Sequence, residues 1–430
     1  MNGALRRGLQ CLRHPGRFRQ LEALLAHQAL SREALARHQD EALSAIVRHA
    51  AAQVPYYTQR LGELAHWNGA VEALPILTKE DVRAHLQDLI DRDADRGRVG
   101  IGHTGGSTGQ PLAFWYDEAK HELMRAGMTR GFMMSGWRPG QKVLYLWGAR
   151  QDAGKGGVFA HRFGDALAGE RTVAALEYTG ECLDDWVRLI RRWRPTLIYG
   201  YASALDQLAR HVNDRAPELP GSLIGVYSTA EMLDDEARAR MEKAFGCKVF
   251  NQYGCREVPN IAWECGHGHM HVMADLVRLE SVQDDDGEPR LLVTSLTNRL
   301  MPFIRYELGD TGRLLEEDCP CGAPFPLMEM GLCRHNDLIL VPGGKRVHPA
   351  ALNRLLYGLT QIREYQWRQL APDRMALDLV CPTPLTAGQV DRLQADLRAQ
   401  VDAGMALDLR YVTAIPRTAS GKHRYIIGLG

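Results

Sequence analysis

Apolar positions recur at helical spacing between residues 21 and 52, where Leu35, Leu43, Ile46, Val47 and Ala50 mark one face. The run stops before Pro55, and Val54-Pro55-Tyr56-Tyr57 breaks the period. From about residue 100 to 300, short β-rich runs alternate with helical stretches. Strands are predicted over 142–147, 196–199, 223–227, 248–250 and 290–295, and helices over 117–134 and 233–245. That alternation predicts an α/β body with much parallel pairing, because parallel neighbours need a long crossover. The last ninety residues read differently. A helix is predicted over 349–357, stopping at Gly358, and Met375, Leu377 and Leu379 alternate as a strand. A second helix is predicted over 390–401, and Leu407, Leu409 and Tyr411 alternate as another strand. These elements predict a small α+β unit whose boundary lies near the polar stretch 334–337.

At 430 residues the chain is long enough for one large core and a second, smaller unit. Lys plus Arg and Asp plus Glu stand at 52 each, so no global field points to nucleic acid or to an anionic membrane. The arginines of 188–194 interleave with Leu189, Ile190 and Trp193, preceded by Trp186. This is the pattern of one amphipathic helix with a solvated face. No run of eighteen apolar residues occurs, which excludes a spanning helix. The first twenty residues carry Arg6, Arg7, Arg13, Arg17 and Arg19 without the apolar centre of a secretory signal. Nine cysteines scattered along the chain do not form a disulfide framework, and the cytoplasm is the expected compartment.

Four segments carry candidate chemistry. His103-Thr104-Gly105-Gly106-Ser107-Thr108-Gly109-Gln110-Pro111 can bring backbone N–H groups and three hydroxyls close to an anion. It lacks the Gly-Lys-Ser/Thr of the Walker loop and is not the dinucleotide fingerprint. Tyr253-Gly254-Cys255-Arg256-Glu257 and Arg305-Tyr306-Glu307-Leu308-Gly309-Asp310 each follow a predicted strand or apolar run. Pro416-Arg417-Thr418-Ala419-Ser420-Gly421-Lys422 lies near the end of the chain.

In this order the four segments resemble the signature motifs of the acyl-adenylate-forming superfamily, and most nearly its phenylacetate–CoA ligase-like branch with CapK-type members. The resemblance covers roughly residues 50 to 430. It implies a large N-terminal α/β domain (1–333, with a helical segment over about 1–70), a hinge at 334–337, and a small mobile C-terminal domain (338–430). It implies that ATP is held by Thr104, Gly105, Gly106, Ser107, Thr108 and Gly109, with Ser228, Ala230, Glu231, Tyr253 and Gly254 around the adenine. Asp310 would accept the ribose hydroxyls, Arg334 would reach ribose or phosphate at the hinge, and Glu257 would hold Mg²⁺, which favours hard oxygen donors. Lys422 would be the adenylation lysine, a point charge for the negative charge that develops during adenylyl transfer. Four departures from the motifs stand out: Gly105 for Ser, Gln110 for Lys, Arg256 for Thr and Asn336 for Asp.

The resemblance further implies acid activation to an acyl-AMP with pyrophosphate release. Acyl transfer to a thiol such as coenzyme A follows after a domain swing. Gly343, Gly344 and Arg346 would face the acceptor channel. Trp147, Tyr199 and Tyr201 fall where relatives line the acyl pocket, which suits an aromatic acid, and relatives suggest a homodimer. The alternatives are an adenylyltransferase that modifies a cofactor or other substrate with AMP, acyl transfer to an amine or carrier protein, and a non-catalytic ligand-binding homologue.

Separately, Cys265-Gly-His267-Gly-His269-Met-His271 and Cys319-Pro-Cys321 are clusters of metal-ligating side chains. Two short knuckles commonly supply a tetrahedral Zn²⁺ site. Some members of the resembled branch carry a similar Cys…His plus Cys-x-Cys arrangement. That selects Cys265, His271, Cys319 and Cys321 as a closed, structural Zn²⁺ set.

Overall fold

A computed structural model describes residues 2–61, 67, 69–103, 112–147, 168–175, 179–283, 289–334, 339–342, 346–347, 352, 355–356, 359, 361–416 and 423–429. The apolar run over 21–52 forms two helices rather than one. After α1 (Gly3–Arg13) come α2 (Pro15–Gln28) and α3 (Arg32–Gln53). The break falls where Ser31 caps α3 by accepting the Ala34 N–H, a signal the apolar period alone does not carry.

Eleven strands form the main sheet: β1 (Val143–Trp147), β2 (Glu170–Ala174), β3 (Leu197–Tyr201), β4 (Gly225–Thr229), β5 (Val249–Tyr253), β6 (Ala262–Glu264), β7 (Met270–Val272), β8 (Val277–Gln283), β9 (Pro289–Ser295), β10 (Tyr306–Leu315) and β11 (Leu327–Arg334). Their order across the sheet is β8-β9-β10-β11-β7-β6-β5-β4-β3-β1-β2. Pairing is parallel from β2 to β5 and antiparallel from β5 outward. The sheet is therefore half parallel. α4 (Glu118–Met133) leads into β1, and among the described residues the helical crossovers that the alternating pattern advertised, α5 (Gly180–Trp193), α6 (Ala202–Arg215) and α7 (Asp235–Phe245), all lie in the parallel half.

The central parallel strands are buried along their whole length. Leu197, Tyr199 and Tyr227 face one apolar cluster, with Phe132 and Trp263, while Ile198, Val226 and Leu146 face the other. Burial on both faces is why these strands read as continuous apolar runs. Trp186, Ile190 and Trp193 seat α5 on the second cluster, as the amphipathic reading of 188–194 requires. The N-terminal helices are fixed by buried charge. The Arg130 guanidinium on α4 donates to both carboxylate oxygens of Asp275 at 2.6 and 2.8 Å and to the Leu24 carbonyl at 3.0 Å.

The C-terminal residues gather around a separate apolar cluster that includes Trp367, Leu377, Leu393 and Met405. It is built on the four-stranded sheet β14-β13-β12-β15 formed by β12 (Glu364–Ala371), β13 (Arg374–Val380), β14 (Ala406–Tyr411) and β15 (Ile426–Ile427). Against it lies α8 (Ala387–Gln400), opened by a capping box between Thr386 and Gln389. Of the helix predicted over 349–357, only Leu352, Leu355 and Leu356 are described, and all three are buried in this cluster.

Candidate active site and metal centre

The candidate residues collect at the carboxyl ends of β4 and β5, where an open α/β sheet binds its ligands. β4 ends in Ser228 and Thr229, both buried, and Ala230 follows in the left-handed region at φ 67°. A side chain bearing a Cβ costs roughly 1–2 kcal/mol there. The kink turns the chain out of the sheet and presents Glu231. From the neighbouring strand, Tyr253 donates its hydroxyl to Asp310 at 2.9 Å. The candidate adenine and ribose residues, 57 positions apart, thus meet in one place. Gly309, at φ 76°, makes the turn before Asp310, and Lys79 supports it by donating to the Leu308 carbonyl at 2.8 Å.

Glu257 is buried at 4% exposure and so is no surface carboxylate. One of its oxygens accepts the Tyr306 hydroxyl at 3.0 Å. Burial and the adjacent carboxylate hold Tyr306 far above the ordinary phenol range, so it acts as a donor. Lys120 on α4 donates to the Glu257 backbone carbonyl at 2.8 Å, and its ammonium lies over the Phe114 ring at 4.7 Å. Burial lowers the Lys120 pKa to about 8, with the Glu257 charge opposing that shift. One buried carboxylate fits Mg²⁺, which keeps several waters and completes its shell with substrate phosphates.

Arg256 stands where a threonine was expected. Its guanidinium donates to the His103 carbonyl at 2.7 Å and ties this segment to the residue that opens the glycine-rich loop. Thr104, Gly105, Gly106, Ser107, Thr108 and Gly109 lie outside the described residues, as do Lys422, the hinge positions 335–337 and the Arg334 side chain. The residue after Lys422 is described. The backbone N–H of His423 donates to Glu231 at 2.7 Å, and the other oxygen of that carboxylate accepts the Ser203 N–H at 2.7 Å. The tail is thereby docked onto the same edge of the sheet as Tyr253 and Asp310. Lys120, Gln252, Tyr306 and His423 were not read from the sequence. Tyr306 lay in plain view inside a motif, whereas Lys120 has no signal beyond a helical position.

Among the candidate acyl-pocket residues, Trp147 stacks on Tyr199 with centroids 5.7 Å apart and planes 9° from parallel. The Tyr199 hydroxyl donates to Gln252 at 3.2 Å, and Thr229 bonds the same oxygen. Tyr201 is 1% exposed and packs into the second apolar cluster while touching Trp147, their centroids 4.6 Å apart.

The cysteine–histidine set converges at the far end of β6 and β7. One ligand atom from each of Cys265, His271, Cys319 and Cys321 lies within 4.8 Å of the others. Two sulfurs and a nitrogen bound tetrahedrally to one zinc sit about 3.8 Å (S to S) and about 3.6 Å (S to N) apart. Here Cys265 Sγ is 3.6 Å from Cys319 Sγ, and Cys321 Sγ is 3.3 Å from His271 Nε2. His271 Nδ1 faces the Phe325 carbonyl at 3.4 Å, the contact that leaves Nε2 bare as a donor atom. Burial lowers the His271 pKa to about 4 and pushes the Cys319 thiol up to about 12. His269 Nδ1 lies 3.2 Å from Cys319 Sγ at the rim of the set.

A parallel sheet extended by antiparallel strands, with a separate small α+β unit docked at its carboxyl edge, is the fold of the adenylate-forming CoA ligases. A solved 2-hydroxyisobutyryl-CoA ligase in the postadenylation state superposes with a TM-score of 0.70 at 16% identity, covering 94% of this chain and 91% of that one. Residues 339–428 match the family model of the CapK C-terminal domain. A phenylacetate–coenzyme A ligase of Thermus thermophilus is 26% identical over 78% of each chain, and Protein CapK of Staphylococcus aureus is 24% identical over 83% of this chain and 80% of its own. Along most of its length the chain is thus similar to phenylacetate–CoA ligases and to CapK, its residues 339–428 match the CapK C-terminal domain, and its fold is that of solved acyl-CoA ligases.

Proposed function

We propose that the protein is an AMP-forming acid–thiol ligase. The carboxylate oxygen of an acid attacks the α-phosphorus of ATP, the bond to the β-phosphate oxygen breaks, and pyrophosphate leaves. A thiol, with coenzyme A the expected one, then attacks the acyl-AMP carbonyl and AMP departs. The observation that carries this reading is the docking of His423 on Glu231 beside the Tyr253–Asp310 pair. Lys422 immediately precedes His423 in the chain, which supports giving it the adenylating role. Asp310 accepts the ribose hydroxyls, Glu257 supplies an oxygen ligand, and Lys422 and Arg334 meet the phosphate charge. Mg²⁺ held at Glu257 would neutralise the leaving pyrophosphate. The stacked Trp147–Tyr199 pair suits an aryl acid, because flat faces pack with little entropy loss.

The test is acid-dependent ATP–pyrophosphate exchange against a panel of aryl and aliphatic acids, with coenzyme A consumption as the second readout. Aryl acids should win, with AMP released on coenzyme A addition. Exchange by aliphatic acids alone would refute the aryl reading, and transfer of AMP to the substrate without release would favour an adenylyltransferase. Lys422→Ala should lower the exchange rate by about 10²–10³, the cost of one lost transition-state charge contact.

Cys265, His271, Cys319 and Cys321 would hold a structural Zn²⁺. Four protein ligands leave no position for a reacting water, so the ion would join the β6–β7 hairpin to the turn before β11 and take no part in catalysis.

A further inference from the structure

The two carboxylate oxygens of Glu231 serve different parts of the molecule. Oε2 accepts the N–H of Ser203 in the first turn of α6, and Oε1 accepts the N–H of His423 in the C-terminal unit, both at 2.7 Å. The N-cap of α6 is Tyr201, whose side chain caps nothing, so Glu231 satisfies an orphan donor from outside the helix. The α6 dipole also favours a negative charge at this point. One oxygen is thus anchored to the large body whatever the small unit does, and the other is held ready as an acceptor. Two more contacts run along the same face of α6 at the spacing of successive turns. Gln207 Nε2 donates to Glu364 at 3.2 Å, and Arg210 Nη1 donates to the Ile362 carbonyl at 3.2 Å. His423 is itself 6% exposed, with its ring nitrogen Nε2 2.8 Å from the Tyr365 carbonyl, so its backbone is held rigidly to β12.

We infer that Glu231 is a positioning residue that latches the small unit in the adenylating orientation by gripping the N–H next to Lys422. This rests on the ligase reading above. A lysine on a flexible stem is useful in the transition state only if its backbone is fixed, and the carboxylate fixes it one residue away. Release of this bond together with the Gln207 and Arg210 contacts would free the tail for the second half-reaction while α6 keeps its cap.

The test separates the half-reactions in the full-length enzyme. Glu231→Ala should lower the maximal rate of pyrophosphate exchange at least about tenfold, the worth of one charge-assisted bond. The maximal rate of acyl transfer from saturating supplied acyl-AMP should fall far less than that of exchange. Glu231→Gln should recover part of the loss, because an amide oxygen still accepts. His423→Pro and His423→Ala both lose the ring, but only Pro also loses the N–H donor, so Pro should be the slower by about tenfold. A raised KM for ATP with the maximal rate intact would make Glu231 a nucleotide contact instead. Equal loss in both half-reactions, or Pro and Ala variants that behave alike, would also overturn the latch. If no acid supports exchange by the wild type, the ligase reading fails, and the latch is still tested by amide hydrogen exchange. Glu231→Ala should deprotect the His423 amide, and unchanged protection would refute the grip.

Discussion

Removal of zinc from the cysteine–histidine centre gives a perturbation whose size follows from the topology. Cys265 and Cys319 are 54 positions apart, and an ion bound to both closes the intervening chain into a loop in the unfolded state. Treated as a covalent cross-link, a loop of that length removes about 14 cal/mol/K of chain entropy, or about 4 kcal/mol at 25 °C. Spread over the unfolding entropy of a body of about 330 residues, this shifts the melting temperature by about 6 °C. Cys321 is the exposed ligand and the one whose replacement disturbs packing least. Cys321→Ser should therefore lose stoichiometric zinc on elemental analysis and melt about 6 °C lower by calorimetry. A strong chelator should bring the wild type to the same temperature and leave the variant unmoved. Because the site lies at the far end of β6 and β7 from the nucleotide edge, exchange activity per folded molecule should survive below the melting range. Purified wild type without zinc, or a melting point indifferent to chelator, would defeat the assignment.

Three more outcomes follow from described contacts. Asp310→Ala removes the acceptor of the Tyr253 hydroxyl and, with it, the proposed ribose acceptor, and should raise the KM for ATP about tenfold to a hundredfold; steady-state exchange kinetics check this, with Tyr253→Phe showing the smaller effect. Glu257→Gln can keep the Tyr306 bond but removes the negative charge and one oxygen, so saturation of exchange should move to higher Mg²⁺ concentration with the melting temperature little changed. Asp275→Ala leaves Arg130 buried and unpaired, at a cost of about 3–5 kcal/mol in denaturant unfolding. Burial raises the Asp275 pKa, but Arg130 and His27 outweigh it and bring it below the ordinary value. The pair's stabilisation is therefore complete above about pH 4. It is lost as pH falls through the depressed folded value, and an acid-unfolding curve for the variant should lack that component.

The amino-acid sequence by itself determined the elements with a strong local period and the residues with a motif around them. β1, β3, β4 and β5 read as apolar runs because the sheet buries both their faces, and α5 read as amphipathic because one stripe of Trp186, Ile190 and Trp193 is buried. Glu257, Asp310 and the four clustered cysteine and histidine residues were legible as residue types in short segments. The antiparallel half of the sheet was largely hidden, since strands of three residues such as β6 and β7 are too short to show a period. The split of α2 from α3 was hidden because a single capping serine decides it.

Only the tertiary structure decided which distant groups share a job. Lys120 on α4 meets Glu257 across 137 positions, Arg256 reaches His103 across 153, and Glu231 grips His423 across 192. No local pattern encodes such pairs, because hydrogen-bond partners are chosen by where packing leaves a buried donor or acceptor unsatisfied. Composition and motif named the chemistry. The folding of two separate cores onto one sheet edge assigned the parts.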